Sequence, residues 1–466
     1  SSAVTTAHTM LPSAEAIMRD LLIGQEWLRS NGMSQEPSVA YFPDSFGHSP
    51  ALPSLLKAAG FSLAAMTHVD GMLHPSSYHE LICKRFPRPH SSAALLMKER
   101  RCADFIWRGP DGAEVLCHWN VHDYRQGDML AHRGIARVYL FPAAIHDPSD
   151  RNVSGKIRRF ARQLTPYSPT PYLFCPIGGD FIDTIPNLVA LLDRYNRIHY
   201  PTTGMWAVNA GLDDYLALVN CHRDVLPVLE LDPNPRWMGF YASRPTLKKK
   251  CHELVDRLLL AEQLAVLPEN ERQGEQTTQA IEEAWWHAAA SNHHDFVTGT
   301  ATDHVVRTEQ EPWLDKGIAE ANAAIKGLAP RGGQRTGITS APLPEWRRRG
   351  DVLEISTPKY VIELAENRGG SILRAWHPVT QAPLLSVANC LVSYRDSGGL
   401  WRMGHEYCGG SLKEVGRSSD RPAPLEVQDQ SGCLEAACTV EVDGQTVRQL
   451  FRFSSDSPAV GFRMEG

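Results

Sequence analysis

"SVAYFPDSFGHSPALPSLLKAAGFSLAAM" (residues 38–66) carries the reading that decides the fold class. A short apolar run, "SVAYF", stops at Pro43-Asp44. Turn residues follow, then the helix-forming "ALPSLLKAAG", whose Gly60 is a stop signal before a second apolar run, "FSLAAM". Strand, loop, helix, strand is the rhythm of an α/β domain with a parallel sheet. Upstream, "SAEAIMRDLLIGQEWLR" (13–29) opens with a Ser cap and Glu15 in its first turn. Ile17, Leu21, Leu22, Trp27 and Leu28 then predict an amphipathic helix. The rhythm returns in "PYLFCPIGGDFIDTIPNLVALLDRYN" (171–196), where an apolar run ends at "GGD" and a helix is expected after Ile185-Pro186. Asp44 and Asp180 are thus both expected where a strand gives way to its helix, the edge at which open α/β sheets gather ligand groups.

The pattern changes near residue 246. "TLKKKCHELVDRLLLAEQLAVL" places Leu247, Cys251, Leu254, Leu258, Ala261 and Leu264 on one face, and helical stretches follow at 274–291 and 302–327. "APRGGQRTGITSAPLPEWRRRG" (329–350) then breaks the periodicity and reads as a linker. Beyond it come alternating runs such as "VLEIS" and "YVIEL", and the hairpin "CTVEVDGQTVRQLFRF" with Asp443-Gly444 at its turn. The expected architecture is an α/β parallel-sheet domain over 1–245, a three-helix bundle over 246–330 and the start of a β-sandwich domain over 331–466.

Composition narrows the function classes. With 47 Lys and Arg against 53 Asp and Glu, and no basic cluster larger than "LKKK" or "WRRR", nucleic acid is not an expected partner. No apolar run is long enough for a membrane span. The ten cysteines show no C-x-x-C spacing and read as buried thiols, which favours a reducing compartment such as the cytoplasm, with a lysosomal or secreted location left open.

Four stretches concentrate reactive side chains: "FPDSFGHS" with Asp44, "IGGDF" with Asp180, "LDPNPRWMGFYASRP" (231–245), and "SNHHDFVTGT" with His293, His294 and Asp295. Each has a structural reading, the aspartates as loop or cap residues and the histidines as a helix-end pair. Together they describe a site. Two loop carboxylates can divide the labour of glycoside hydrolysis as nucleophile and acid/base, and imidazole beside carboxylate suits an open zinc site. Adjacent residues seldom aim at one ion, so one histidine of "HHD" is the economical ligand.

In order, "FPDSFGHSPALPSLLKAAGF", "PIGGDF", "NPRWMGFYASRP" and "HHDFVTGT" resemble the signature segments of glycoside hydrolase family 38, the retaining zinc α-mannosidases. The resemblance implies hydrolysis of terminal α-mannosides in oligosaccharides or glycans. Asp44 would be nucleophile and zinc ligand, Asp180 the acid/base and His294 a second zinc ligand. Phe46, Tyr124, Trp237, His293 and Asp295 would bind substrate. The family's two further zinc ligands come from an H-x-D segment upstream of the nucleophile. The chain as given starts after that segment, so a fragment lacking the N-terminal part of the catalytic domain is expected. Its one H-x-D, His68-Val69-Asp70, follows Asp44 and is assigned a loop role. A carbohydrate-binding relative without turnover is the alternative.

Overall fold

The computed structural model describes residues 3–33, 39–72, 87–133, 145–180, 184–234, 236–268, 270, 274–329, 342–396, 399–401, 403, 412–430 and 433–466. Two compact units divide the chain. One is Ser1–Ala329 with Gly398–Gly410, and the other is Pro330–Ser397 with Ser411–Gly466. Most of the expected linker, residues 330–341, lies outside the described residues, as do Cys83, Cys408 and Phe181.

In the first unit, strands β1 (Val39–Phe42), β2 (Leu63–Met66), β3 (Asp104–Arg108), β4 (Glu114–Trp119) and β5 (Val228–Leu229) form one sheet in the order β1-β2-β4-β3-β5. The expected strand–helix–strand unit is present: β1 and β2 pair in parallel, with helix Leu52–Ala58 between them in sequence. β4 continues the parallel run beside β2. The expected parallel sheet is present and carries one reversal, because β3 runs antiparallel to β4 and β5 pairs in parallel with β3. The reversal follows from a tight connection, in which the Gly109 N–H donates to the Ala113 carbonyl at 2.8 Å and Gly112 takes a positive φ of 85°.

Strand residues alternate between two cores, which explains their nearly continuous apolar runs. Ala40, Phe42, Ala64, Met66, Phe105, Trp107, Val115 and Cys117 face a cluster shared with Ile17, Leu21, Leu52 and Leu56. Val39, Leu63, Ile106 and Leu116 face the other side, against Tyr215, Leu216 and Val219. Each fully buried large side chain of this kind contributes about 1.5–3 kcal/mol.

Helix α1 (Ala14–Ser30) begins at Ser13, whose hydroxyl accepts from the Ala16 N–H at 3.2 Å, as its cap signal predicts. Its buried stripe is narrower than expected. Ile17 and Leu21 are inside, whereas Leu22 and Trp27 are exposed. The apolar run Tyr172–Gly179 is not a strand. Pro171 and Pro176 lack the N–H groups that a central strand must donate, so Asp180 follows an extended segment instead.

The helices Pro245–Ala265, Gly274–Ser291 and Glu311–Leu328 pack around one core that includes Leu247, Cys251, Leu254, Leu258, Ala261, Trp285, Leu314 and Leu328. Helix α1 joins them, since Arg19 and the Trp285 indole both donate to Glu262, at 2.9 and 2.8 Å.

The second unit is antiparallel. A five-stranded sheet from Glu345–Arg349 to Pro383–Leu385 and a four-stranded sheet from Glu426–Gln430 to Gly461–Glu465 share one core. Leu353, Ile355, Ile362 and Leu364 of the first face Leu434, Ala436, Phe451 and Phe453 of the second. This is the packing of a β-sandwich. Asp443 and Gly444 adopt φ of 50° and 76° at the predicted hairpin, the double positive φ of a type I′ turn.

Candidate active site

The C-terminal ends of the three parallel strands deliver side chains to one place. Asp44 follows β1 by two residues, His68 follows β2 by two, and Tyr124 lies in the turns after β4. The strand ends are tied together, with the Thr67 N–H donating to the Phe42 carbonyl at 3.2 Å and the Asn120 N–H to the Met66 carbonyl at 2.9 Å.

Asp44, Tyr124, Asp180 and His294 line a single cavity of about 1040 Å³. Its size is near the upper end of small-molecule sites, about 300–1,000 Å³. The Tyr124 hydroxyl donates to Asp180 Oδ2 at 3.0 Å. The loop carrying Asp180 is held from below, because Asp128 accepts from the Gly178 N–H at 2.6 Å and the Gly127 N–H donates to the Pro176 carbonyl at 2.7 Å. Burial pushes the Tyr124 hydroxyl's pKa up, and the nearby Asp44 and Asp180 charges add to it, so at neutral pH this group is a donor.

Asp44 is engaged on both oxygens. Oδ1 lies 2.7 Å from Nε2 of His68, and Oδ2 lies 3.7 Å from Nε2 of His294. Burial raises the Asp44 carboxyl pKa, an effect opposed by His294, Arg125, Arg236 and His293. Gly47 sits at φ 83°, and a Cβ there would collide with the Asn234 side chain, so the "FGHS" turn requires glycine.

The "HHD" triplet is fixed by the first residues of the chain. Ala7 forms an antiparallel bridge with His293, and the His8 N–H donates to the Asn292 carbonyl at 2.8 Å. Nδ1 of His294 is 2.8 Å from the Thr6 carbonyl oxygen, which can only accept. The proton is therefore on Nδ1, and the Nε2 lone pair faces Asp44. His293, His294 and Asp295 each offer a ligand-type atom, all within 4.8 Å of one another. Asp295 Oδ2 is 3.7 Å from Nε2 of His294, the same separation as Asp44 Oδ2. An imidazole nitrogen between two carboxylate oxygens at this spacing is a donor set that zinc takes, whereas Nδ1 of His293 accepts the Asp295 N–H at 3.0 Å.

Phe46 and Trp237 are 2% and 4% exposed and form an aromatic cluster with Phe240 beside the cavity. Phe46 meets Trp237 edge-on at 4.8 Å. Trp401, from the Gly398–Gly410 segment that packs with the first unit, meets Trp237 at 5.1 Å and Phe240 at 4.4 Å. Tyr241 donates to the Phe46 carbonyl at 2.7 Å, and Arg244 clamps the "TGT" loop through the carbonyls of Gly299 and Ala301.

His68 is the residue that the loop assignment missed. It is 2% exposed, touches Asp44, and lies 4.3 Å from the Trp237 ring. Arg236 Nη2 is 3.3 Å from its Nδ1, and the guanidinium also donates to the Met72 carbonyl at 2.8 Å. Burial, then the Arg236 charge, hold the imidazole's pKa well below its ordinary value. Asp70, the other half of the H-x-D, turns away from Asp44, accepting from Arg88 at 3.0 Å and from the Ser92 N–H at 2.9 Å. The signals available in the sequence were the H-x-D itself and position, since both Asp44 and His68 stand two residues past a strand.

Asp44, just past a parallel-strand edge, and Asp180, on an extended segment, thus line one cavity of an α/β framework with His294. Residues 3–221 match the family model described as "Glycosyl hydrolases family 38 N-terminal domain", and residues 236–329 match "Alpha mannosidase middle domain". The chain belongs to glycoside hydrolase family 38. It is 23% identical over 321 residues to Alpha-mannosidase F of Dictyostelium discoideum, covering 63% of this chain and 29% of that protein. It is 24% identical over 310 residues to the epididymis-specific alpha-mannosidase of Homo sapiens, covering 58% and 28%. The chain therefore spans less than a third of the length of these curated relatives. The crystal structure of an alpha-mannosidase from Enterococcus faecalis V583 shares its fold, with a TM-score of 0.68 at 14% identity over 99% of this chain and 64% of that one.

Proposed function

We propose that the protein hydrolyses terminal α-mannosides in oligosaccharides or glycans by a retaining mechanism. The observation that carries this reading is the placement of Asp44 and Asp180 on the wall of one cavity, with Tyr124 holding Asp180. In the first step an Asp44 oxygen bonds to the anomeric carbon while the glycosidic bond breaks, and Asp180 gives its proton to the departing oxygen. In the second step water gives a proton to Asp180 and bonds to the anomeric carbon, and the Asp44–sugar bond breaks.

Asp44 and His294 would hold zinc. The metal, when bound, would act as a template for two mannose hydroxyls. His293 and Asp295 would contact sugar hydroxyls and Phe46 and Trp237 would border the sugar site, although of the proposed site residues only Asp44, Tyr124, Asp180 and His294 line the cavity itself. Domain limits of 1–245, 246–330 and 331–466 belong to the same proposal, and the separate matches over 3–221 and 236–329 support the first two. Among the described residues no helix is long and apolar enough to cross a membrane. The proposal that the compartment is a reducing one such as the cytoplasm rests on the cysteine spacing alone.

The test is turnover of an aryl α-mannoside by the full-length protein, with and without a chelator. The expected result is zinc-dependent release of mannose with its anomeric configuration kept, abolished by Asp44→Asn. Full activity of Asp44→Asn, or mannose binding without turnover in the wild type, would overturn it.

A further inference from the structure

Asp44 has a second partner whose proton position the structure determines. A guanidinium has only donors, so Arg236 Nη2, 3.3 Å from Nδ1 of His68, requires Nδ1 to accept. Nε2 then carries the ring proton, and at 2.7 Å from Asp44 Oδ1 it donates to that oxygen. His294 has the opposite arrangement. Its Nδ1 donates to the Thr6 carbonyl at 2.8 Å, and its Nε2 presents a lone pair. Two imidazoles face one carboxylate in complementary tautomers, one able to bind a cation and one already committed as a hydrogen-bond donor. His68 has little freedom to change roles. It is 2% exposed and tilted against Trp237 at 4.3 Å, and the Arg236 guanidinium lies over that same indole at 4.3 Å.

We propose that His68 is a positioning residue acting through the nucleophile: an Nε2–H donor, oriented by Arg236, that stabilises the returning charge of the Asp44 carboxylate as it leaves the sugar. This rests on the reading of Asp44 as nucleophile. The donor acts unequally on the two steps. While Asp44 attacks, its negative charge is being used up, and a hydrogen bond to it gives no help. When the Asp44–sugar bond breaks, the carboxylate charge returns, and the donor lowers that barrier. Losing His68 should therefore slow release of the sugar from Asp44 by about 10- to 100-fold, the range expected for a hydrogen bond to a charged group. Because only the second step is slowed, kcat and KM fall together and kcat/KM changes little.

The experiment uses the full-length protein with His68→Leu and His68→Gln, the latter reaching Asp44 with an amide N–H near the Nε2 position. An activated aryl α-mannoside is the substrate, intact-mass spectrometry counts mannosylated protein in the steady state, and ¹⁵N NMR reports the His68 tautomer with and without zinc. The expected results are a joint fall of kcat and KM in His68→Leu, accumulation of mannosylated protein, recovery of most of kcat in His68→Gln, and an Nε2-protonated His68 that zinc leaves unchanged. Wild-type kinetics in His68→Leu would overturn the inference alone, as would a folded His68→Gln no better than His68→Leu. Loss of the Nε2 proton on adding zinc would make His68 a metal ligand and also overturn it. If His68→Leu does not fold, His68→Gln and the tautomer decide. A wild-type protein inactive on every aryl α-mannoside would overturn the functional reading, and this inference with it.

Discussion

The Thr6 carbonyl oxygen lies 2.8 Å from Nδ1 of His294, at the far end of the first unit's sequence, and so sets which nitrogen of that ring faces Asp44. A backbone acceptor on Nδ1 orients a ligating imidazole and raises its basicity at Nε2. His294→Ala removes the ligand itself. Zinc affinity measured by calorimetry on the full-length protein should fall by more than the about 10- to 100-fold that follows loss of an outer-shell partner. Unchanged affinity would remove His294 from the metal site.

Asp180 accepts from Tyr124 and lines the cavity. As a general acid it matters in proportion to how poor the leaving group is. Asp180→Asn should lower the rate on an alkyl α-mannoside by about 10²- to 10⁴-fold. A dinitrophenyl α-mannoside, whose leaving group needs no proton, should lose far less in the first step. Equal losses on both substrates would assign Asp180 another role.

Stability should depend on pH through Asp20. Burial raises its pKa from 3.8 to about 6, against the lowering effect of hydrogen bonds from Thr5 and Asn292. The folded state thus binds the proton more tightly than the unfolded chain. The stabilisation is complete below about pH 4 and is lost as pH rises through about 6. Wild-type unfolding free energy minus that of Asp20→Asn, from urea titrations, should decline across this window by about 3 kcal/mol. A flat difference would contradict the shift. Since Asp20 holds both Thr5 and Asn292, it also ties the chain's first residues to the loop that carries His293 and His294.

Phe46 is 2% exposed and enclosed by Trp237, Phe240 and Trp401. Phe46→Ala should destabilise the first unit by about 3–5 kcal/mol, the range for emptying a buried aromatic site. Chemical denaturation followed by tryptophan fluorescence would measure it. A change under about 1 kcal/mol would mean that the cluster closes over the space.

Much of the architecture was legible because its causes are local. The Ser13 cap, the apolar face of the Leu247–Ala261 helix and the Asp443-Gly444 turn depend on residues a few positions apart. Asp44, Asp180 and His294 could be nominated because each lies in a polar loop between apolar runs. The "PYLFCPIGG" segment misled, since its apolar composition matches a strand while its prolines deny it partners. Trp401 was invisible, because it lies far along the chain among residues that read as part of the β region.

By itself the sequence determined the strand–loop–helix–strand unit, the helical bundle and the antiparallel region, and it nominated Asp44 and Asp180, which both line the cavity. Tertiary structure alone decided that His68 bonds Asp44 and Asp70 does not, and that the two histidines facing Asp44 carry their protons on different nitrogens. The reason is geometric. Helices, turns and apolar stripes follow from neighbours in sequence. A 2.7 Å contact between side chains just past two adjacent parallel strands depends on the register of those strands and on where Arg236 and Thr6, both distant in sequence, place a donor and an acceptor.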